Sequence, residues 1–217
     1  MQFEAVAARL THLPAPLPAP RDALMPVILD DRARPPAWSP DGAMGGRPAA
    51  VLVLVYPDTV GDARIVLIER PTTDGHKHSG EVSFPGGKAE PDDADDVATA
   101  LREATEEVGL DPTAAGVRVI GLLDRLWIPV SDFAVTPVLA LAERAPLLVP
   151  APAEVARILE PSLARFLPDA PIEVIDRTIG GWPMRYGHYQ VDGLSVWGAT
   201  ARVLSQLGAL LAASDPI

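Results

Sequence analysis

The hydrophobic pattern divides the chain into an irregular front, a strand-rich middle and a helical end. Residues 1–12 place apolar side chains at helical intervals and predict a short amphipathic helix. Residues 13–48 carry proline at close spacing and predict an irregular wrap with short helical pieces. Two apolar runs follow, 49–56 (AAVLVLVY) and 63–69 (ARIVLIE), separated by a polar turn. Short, near-continuous runs of this kind predict strands buried on both faces. A polar loop leads to a short strand over 81–84, and a helix is expected from 97 to 108, with Gly109 as its C-cap and Pro112 just beyond. Strands are expected at 117–123 and 133–142, with residues 127–129 as a loop. Segment 152–159 fits helix or strand, and 161–166 a helical turn. A hairpin of 172–178 with 187–191 turns around Gly180-Gly181, and 196–212 closes the chain as a helix. No internal repeat appears, and a mixed sheet with helices on both sides accounts for this order.

The densest chemistry lies in residues 84–110. Glu103, Glu106 and Glu107 stand at i, i+3 and i+4, so a helix gathers them within roughly 100° of its circumference, with Val97, Leu101, Ala104 and Val108 opposite. Like charges at this spacing repel by a few tenths of a kcal/mol unless something neutralises them. A solvated acidic face is the plain alternative. A hard divalent cation with oxygen ligands, Mg²⁺ or Mn²⁺, is the functional one.

The order Gly86-Gly87, Arg102-Glu103-Ala104, Glu106-Glu107, Gly109-Leu110 closely resembles the signature of the Nudix hydrolases. The distance from Gly87 to Arg102 is one residue longer than that family uses. Its first acidic slot therefore falls on Asp93 when counted from Gly87, and on Ala94 when counted back from Arg102. Upstream, Lys77-His78-Ser79-Gly80 through Phe84-Pro85-Gly86-Gly87, with Arg70 before them, looks like the additional signature of the coenzyme A diphosphatase branch. Glu69, Pro71 and His76 depart from it. The resemblance extends over roughly residues 49–210.

It implies a Nudix-type α/β/α sandwich with a mixed β-sheet over 49–217, preceded by an N-terminal helix and Pro-rich extension over 1–48. It also implies metal-dependent hydrolysis of the diphosphate of coenzyme A or its thioesters to 3′,5′-ADP and (acyl-)4′-phosphopantetheine. Another nucleoside diphosphate derivative, such as ADP-ribose or a dinucleotide, is the alternative substrate, and a non-catalytic binding module the alternative from another class. Glu103, Glu106 and Glu107 would hold Mg²⁺ or Mn²⁺. Glu106, Glu107 and Glu154 would be catalytic, with Glu154 or Glu107 as general base. Arg70, Lys77, Lys88, Gly86 and Gly87 would contact substrate, and Arg102 would brace a glutamate. A homodimer is also implied.

Composition narrows the partners. The 217 residues suit one domain with an extension, and 48 % hydrophobic content is ample for a core. A net charge of −11 argues against a nucleic-acid surface, which needs a basic footprint, but leaves room for a small diphosphate met by local cations. No apolar run is long enough for a membrane span. The amino terminus lacks the form of a signal peptide, and zero cysteines exclude disulfide and thiolate chemistry, so a cytoplasmic protein is expected.

Overall fold

The computed structural model describes residues 1–30, 46–72, 80–128, 131–179 and 181–213. The chain opens with α1 (Phe3–Leu10), passes a 3-10 turn (Asp22–Leu24) and β1 (Val27–Ile28), and enters the central sheet as β2 (Arg47–Pro57). β3 (Ala63–Ile65) and β4 (Leu67–Glu69) follow. The single strand expected over 63–69 is thus two. At Val66, whose amide donates to the Leu54 carbonyl at 3.2 Å, the chain leaves the edge of β2 for a second sheet. Both halves are buried because Ile65 and Leu67 enter one hydrophobic core while Val66 and Ile68 enter the other.

Next come β5 (Val82–Ser83), β6 (Gly86–Lys88), α2 (Asp96–Val108), α3 (Pro112–Ala115), β7 (Val117–Leu122), β8 (Leu126–Ile128) and β9 (Phe133–Ala142). β6 corrects the expectation of a bare glycine turn: Gly86 and Gly87 are strand residues opposite Val51 and Ala50 of β2. β8 replaces the loop expected at 127–129, because Trp127 and Ile128 pair with Ala134 and Phe133; Pro129 lies outside the described residues. The remainder is β10 (Arg157–Leu159), a 3-10 turn (Leu163–Phe166), β11 (Glu173–Ile179), β12 (Trp182–Val191), β13 (Leu194–Val196) and α4 (Gly198–Ala212). The hairpin is longer than its apolar residues predict. The final helix starts two residues later than expected, since Val196 pairs with Tyr189 in the sheet.

The central sheet runs β3-β2-β9-β7, with β6 on β2 and β8 on β9. Its β2–β9 pairing is parallel and its other pairings antiparallel. Smaller sheets are β10-β4-β5 and β1-β12-β11, the latter extended by β13 on β12.

Alternation along β2 and β9 builds two cores. Val53, Val55, Leu139 and Leu141 face one side, packed with Phe3, Val6 and Leu10 of α1 and Leu204, Leu207 and Leu211 of α4. Leu52, Leu54, Val138 and Ala140 face the other, packed with Ala100, Ala104 and Val108 of α2. The architecture is an α/β/α sandwich with a mixed sheet, the arrangement expected from the sequence, and a side-chain period of two requires it when both faces are covered. No helix among the described residues is long and apolar enough to cross a membrane.

Candidate active site

Helix α2 is fixed at both ends by its own sequence. The Asp95 carboxylate accepts the Ala98 amide at 2.8 Å as N-cap, and Gly109 takes the left-handed conformation (φ 65°) as C-cap. Ala100, Ala104 and Val108 press on the sheet, and this orientation turns the glutamate face towards β6. The three carboxylates are graded in depth: the side chains of Glu107, Glu103 and Glu106 are 2 %, 14 % and 53 % exposed.

Glu107 is the buried member. Its Oε2 accepts the Gly86 amide at 2.8 Å, and Arg70 Nη1 lies 3.9 Å from Oε1. Burial outweighs both favourable partners and pushes the carboxyl up to about 7. Burial likewise raises Glu103, against the pull of Arg102. Gly87 gives that carboxylate its room, since a Cβ there would stand 2.6 Å from the Glu103 carboxyl carbon and would displace it. Gly86 has φ 152°, and a Cβ on it would run into the backbone of β2.

Arg102 organises the polar rim. Its Nε and Nη2 grip both oxygens of Asp93 at 3.0 and 3.1 Å, its Nη1 reaches Glu103 at 3.0 Å and Glu106 at 2.9 Å, and Nη2 also donates to the Lys88 carbonyl. Asp93 accepts further bonds from the Glu90 amide and the Thr99 hydroxyl. The fork with Arg102 holds its carboxyl far below the usual range and raises the guanidinium in return. Of the two sequence positions open for the acidic slot, Asp93 is the one that grips the arginine. The loop before α2 absorbs the additional residue.

Arg70 sits at the end of β4, its amide bonded to the Glu81 carbonyl at 3.0 Å. The Lys88 side chain is exposed at the end of β6. Lys77, with His76 and His78, lies outside the described residues. Glu154 is exposed on a segment docked to the end of α2, where the Ala151 amide donates to the Glu107 carbonyl at 2.8 Å, and its charge raises both Glu103 and Glu107. Among the described residues, no three acidic or histidine side chains are gathered closely enough to hold a metal ion as they stand. Arg102 holds Glu106 outward while the Gly86 amide holds Glu107 inward. The donors nevertheless suit a hard cation: all are carboxylate oxygens, and two carry a burial cost that a positive charge offsets.

Sequence reasoning missed the Gly86–Glu107 hydrogen bond and the approach of Arg70 to Glu107. Both join residues far apart in the chain. Only the glycine pair ahead of an acidic helix hinted at them.

The family model of the NUDIX domain matches residues 46–157. Nudix hydrolase 22, chloroplastic, of Arabidopsis thaliana is 38 % identical over 162 residues, which cover 72 % of this chain and 52 % of that protein. The uncharacterized Nudix hydrolase NudL of Pectobacterium atrosepticum is 37 % identical over 167 residues, 74 % of this chain and 81 % of that protein. A solved Nudix hydrolase from Alicyclobacillus acidocaldarius is 20 % identical, with a TM-score of 0.45, over 76 % of this chain and 92 % of that one. The chain spans about half the length of the plant relatives it matches.

Proposed function

The chain belongs to the Nudix hydrolase family, and from that premise we propose that it hydrolyses the diphosphate of coenzyme A or its thioesters, releasing 3′,5′-ADP and (acyl-)4′-phosphopantetheine. The observation that carries hydrolysis is the buried Glu107, held between the Gly86 amide and Arg70 on the face that also carries Glu103. The narrower substrate rests on the run Ser79-Gly80 to Gly86-Gly87 behind Arg70, on Val135-Thr136-Pro137-Val138, and on Trp197-Gly198-Ala199-Thr200-Ala201-Arg202.

Glu103, Glu106 and Glu107 are the donors proposed for Mg²⁺ or Mn²⁺, which when bound supplies charge neutralisation on the diphosphate and eases ionisation of water. The remaining work falls to the chain. Arg70 stands at the inner end of the site, where a phosphate oxygen can accept from it, and Lys88 offers a second cation at the rim. Gly86 and Gly87 let β6 approach the helix so closely that its backbone amide fixes the Glu107 carboxylate. Arg102, saturated by Asp93, Glu103 and Glu106, orients carboxylates and is not available to substrate. Glu154, exposed and within electrostatic reach of Glu103 and Glu107, is the proposed proton acceptor, with Glu107 in that role if Glu154 proves silent.

A panel of coenzyme A, dephospho-coenzyme A, ADP-ribose and a diadenosine polyphosphate, assayed with Mg²⁺ and with Mn²⁺, tests the reading. Coenzyme A is expected to exceed dephospho-coenzyme A by roughly ten- to a hundredfold in kcat/KM, the worth of one charge-assisted contact to the 3′-phosphate. Chelation should abolish turnover and either metal should restore it. Preference for ADP-ribose would overturn the coenzyme A assignment and leave the hydrolase.

A further inference from the structure

Arg70 is bonded to one end of a short segment and Gly86 lies at its other end; between them that segment is tied to the C-terminal helix. We infer that Thr200 of α4 is a positioning residue for the carboxylate site: its hydroxyl holds β5, and β5 sets both Arg70 and Gly86 around Glu107. The inference rests on hydrolysis at this face and not on which diphosphate is cleaved.

β5 has only two residues, Val82 and Ser83, and ends the sheet β10-β4-β5. Its register puts Val82 opposite Glu69, while the Glu81 carbonyl accepts the Arg70 amide at 3.0 Å. Carbonyls alternate in direction along an antiparallel strand, so that of Val82 points away from β4. The Thr200 hydroxyl donates to it at 3.0 Å, across 118 residues of chain. Val82 is buried, and a carbonyl there that lost its donor would be left short of a partner.

Both groups that hold Glu107 depend on where β5 lies. Upstream, Glu81 fixes the backbone of Arg70, whose Nη1 is 3.9 Å from Glu107. Downstream, Ser83, Phe84 and Pro85 lead to Gly86, whose amide donates to Glu107 at 2.8 Å. The Leu52 amide donates to the Pro85 carbonyl at 2.8 Å, so β2 and α4 grip the segment at separate points. Packing follows the same route, since Val82 and Phe84 share a core with Val196 of β13 and Ala201 of α4. The helix is a firm anchor. Gln206 donates to the Pro18 carbonyl at 3.0 Å, the Ser205 hydroxyl accepts the Arg21 amide at 2.9 Å, and the Trp197 ring lies 4.8 Å from that of Tyr186.

The test is Thr200→Val, which keeps the shape of the side chain and removes the donor, beside Thr200→Ser, which keeps the donor. Below the melting temperatures of all variants, kcat/KM is expected to fall roughly ten- to a hundredfold in the valine variant, the scale of a slightly misplaced catalytic contact. The serine variant should recover most of that loss. In an Arg70→Ala background the valine should cost distinctly less, because part of its effect runs through Arg70. Hydrogen exchange gives a readout independent of turnover: the Arg70 and Gly86 amides should exchange faster in Thr200→Val while the amides of α2 keep their rates. Near-wild-type turnover, equal impairment of both variants, a full multiplicative loss beside Arg70→Ala, or a uniform rise in exchange across the protein would overturn the assignment. If the wild type cleaves no diphosphate, the functional reading falls and the exchange rates still decide the role of Thr200.

Discussion

Glu107 shows how one residue is set by the two elements that enclose it. The helical spacing of Glu103, Glu106 and Glu107 and the glycine pair were legible in the sequence, because periodicity and motif order are local properties. The gradation from buried Glu107 to exposed Glu106 was not, since it depends on β6 lying against one flank of the helix. Nor could counting choose between Asp93 and Ala94; only the reach of Arg102 decides it. Burial lifts Glu107 from its ordinary 4.5 to about 7. The folded protein therefore keeps a proton that the unfolded chain releases above pH ~4.5, so this stabilising contribution is complete below that pH and is lost as pH rises through about 7. In chelator, thermal melts of wild type are expected to fall relative to Glu107→Gln between about pH 5 and pH 8, because the amide does not titrate. Parallel melts would mean that Glu107 is ionised throughout. With metal restored, the same substitution is expected to reduce turnover by roughly 10²–10⁴.

Among the elements, α2 is the one whose boundaries the chain spells out. An N-cap aspartate, an apolar face and a C-cap glycine agree, and the helix forms within a residue of its expected limits. Asp95→Ala should cost about 1 kcal/mol, because it leaves the Ala98 amide without its partner. Urea denaturation would measure this, and an unchanged midpoint would remove Asp95 from the account of the helix. The neighbouring strands were less readable. The split at Val66 and the pairing of β8 are created by partners elsewhere in the chain, and apolar runs do not announce where a strand changes sheets. The irregular front carries its one strong local signal in α1, while β1 exists only because β12 offers Arg185 and Met184 as partners.

For the whole molecule, the mixed sheet with helices on both sides followed from the order of apolar runs, since each run needs covering. The standing of the first helix did not, because an amphipathic pattern says only that one face is covered and not by what. Phe3, Val6 and Leu10 share a core with Leu204, Leu207 and Leu211, and Arg9 donates to the Leu211 carbonyl at 2.7 Å. α1 therefore belongs to the sandwich energetically. Leu10→Ala is expected to destabilise the protein by about 2–5 kcal/mol, the range for truncating a fully buried leucine. Chemical denaturation would read the loss, and a cost below about 1 kcal/mol would show that the front is an appendage.

The parallel pairing of β2 with β9 places a condition on time as well as on space. Parallel neighbours cannot be joined by a tight turn, so the loop between them contains β6, α2 and the carboxylates. Closing so long a loop costs entropy before the pairing returns anything, which makes such contacts late ones in folding. On a ribosome, β2 can pair with β3 and β6 first but waits for its parallel neighbour until synthesis has passed Ala142, and the segment carrying Glu154 emerges later still. The carboxylate face is thus spelled out in α2, ahead of β9, but assembled only once β9 and the segment carrying Glu154 have been made.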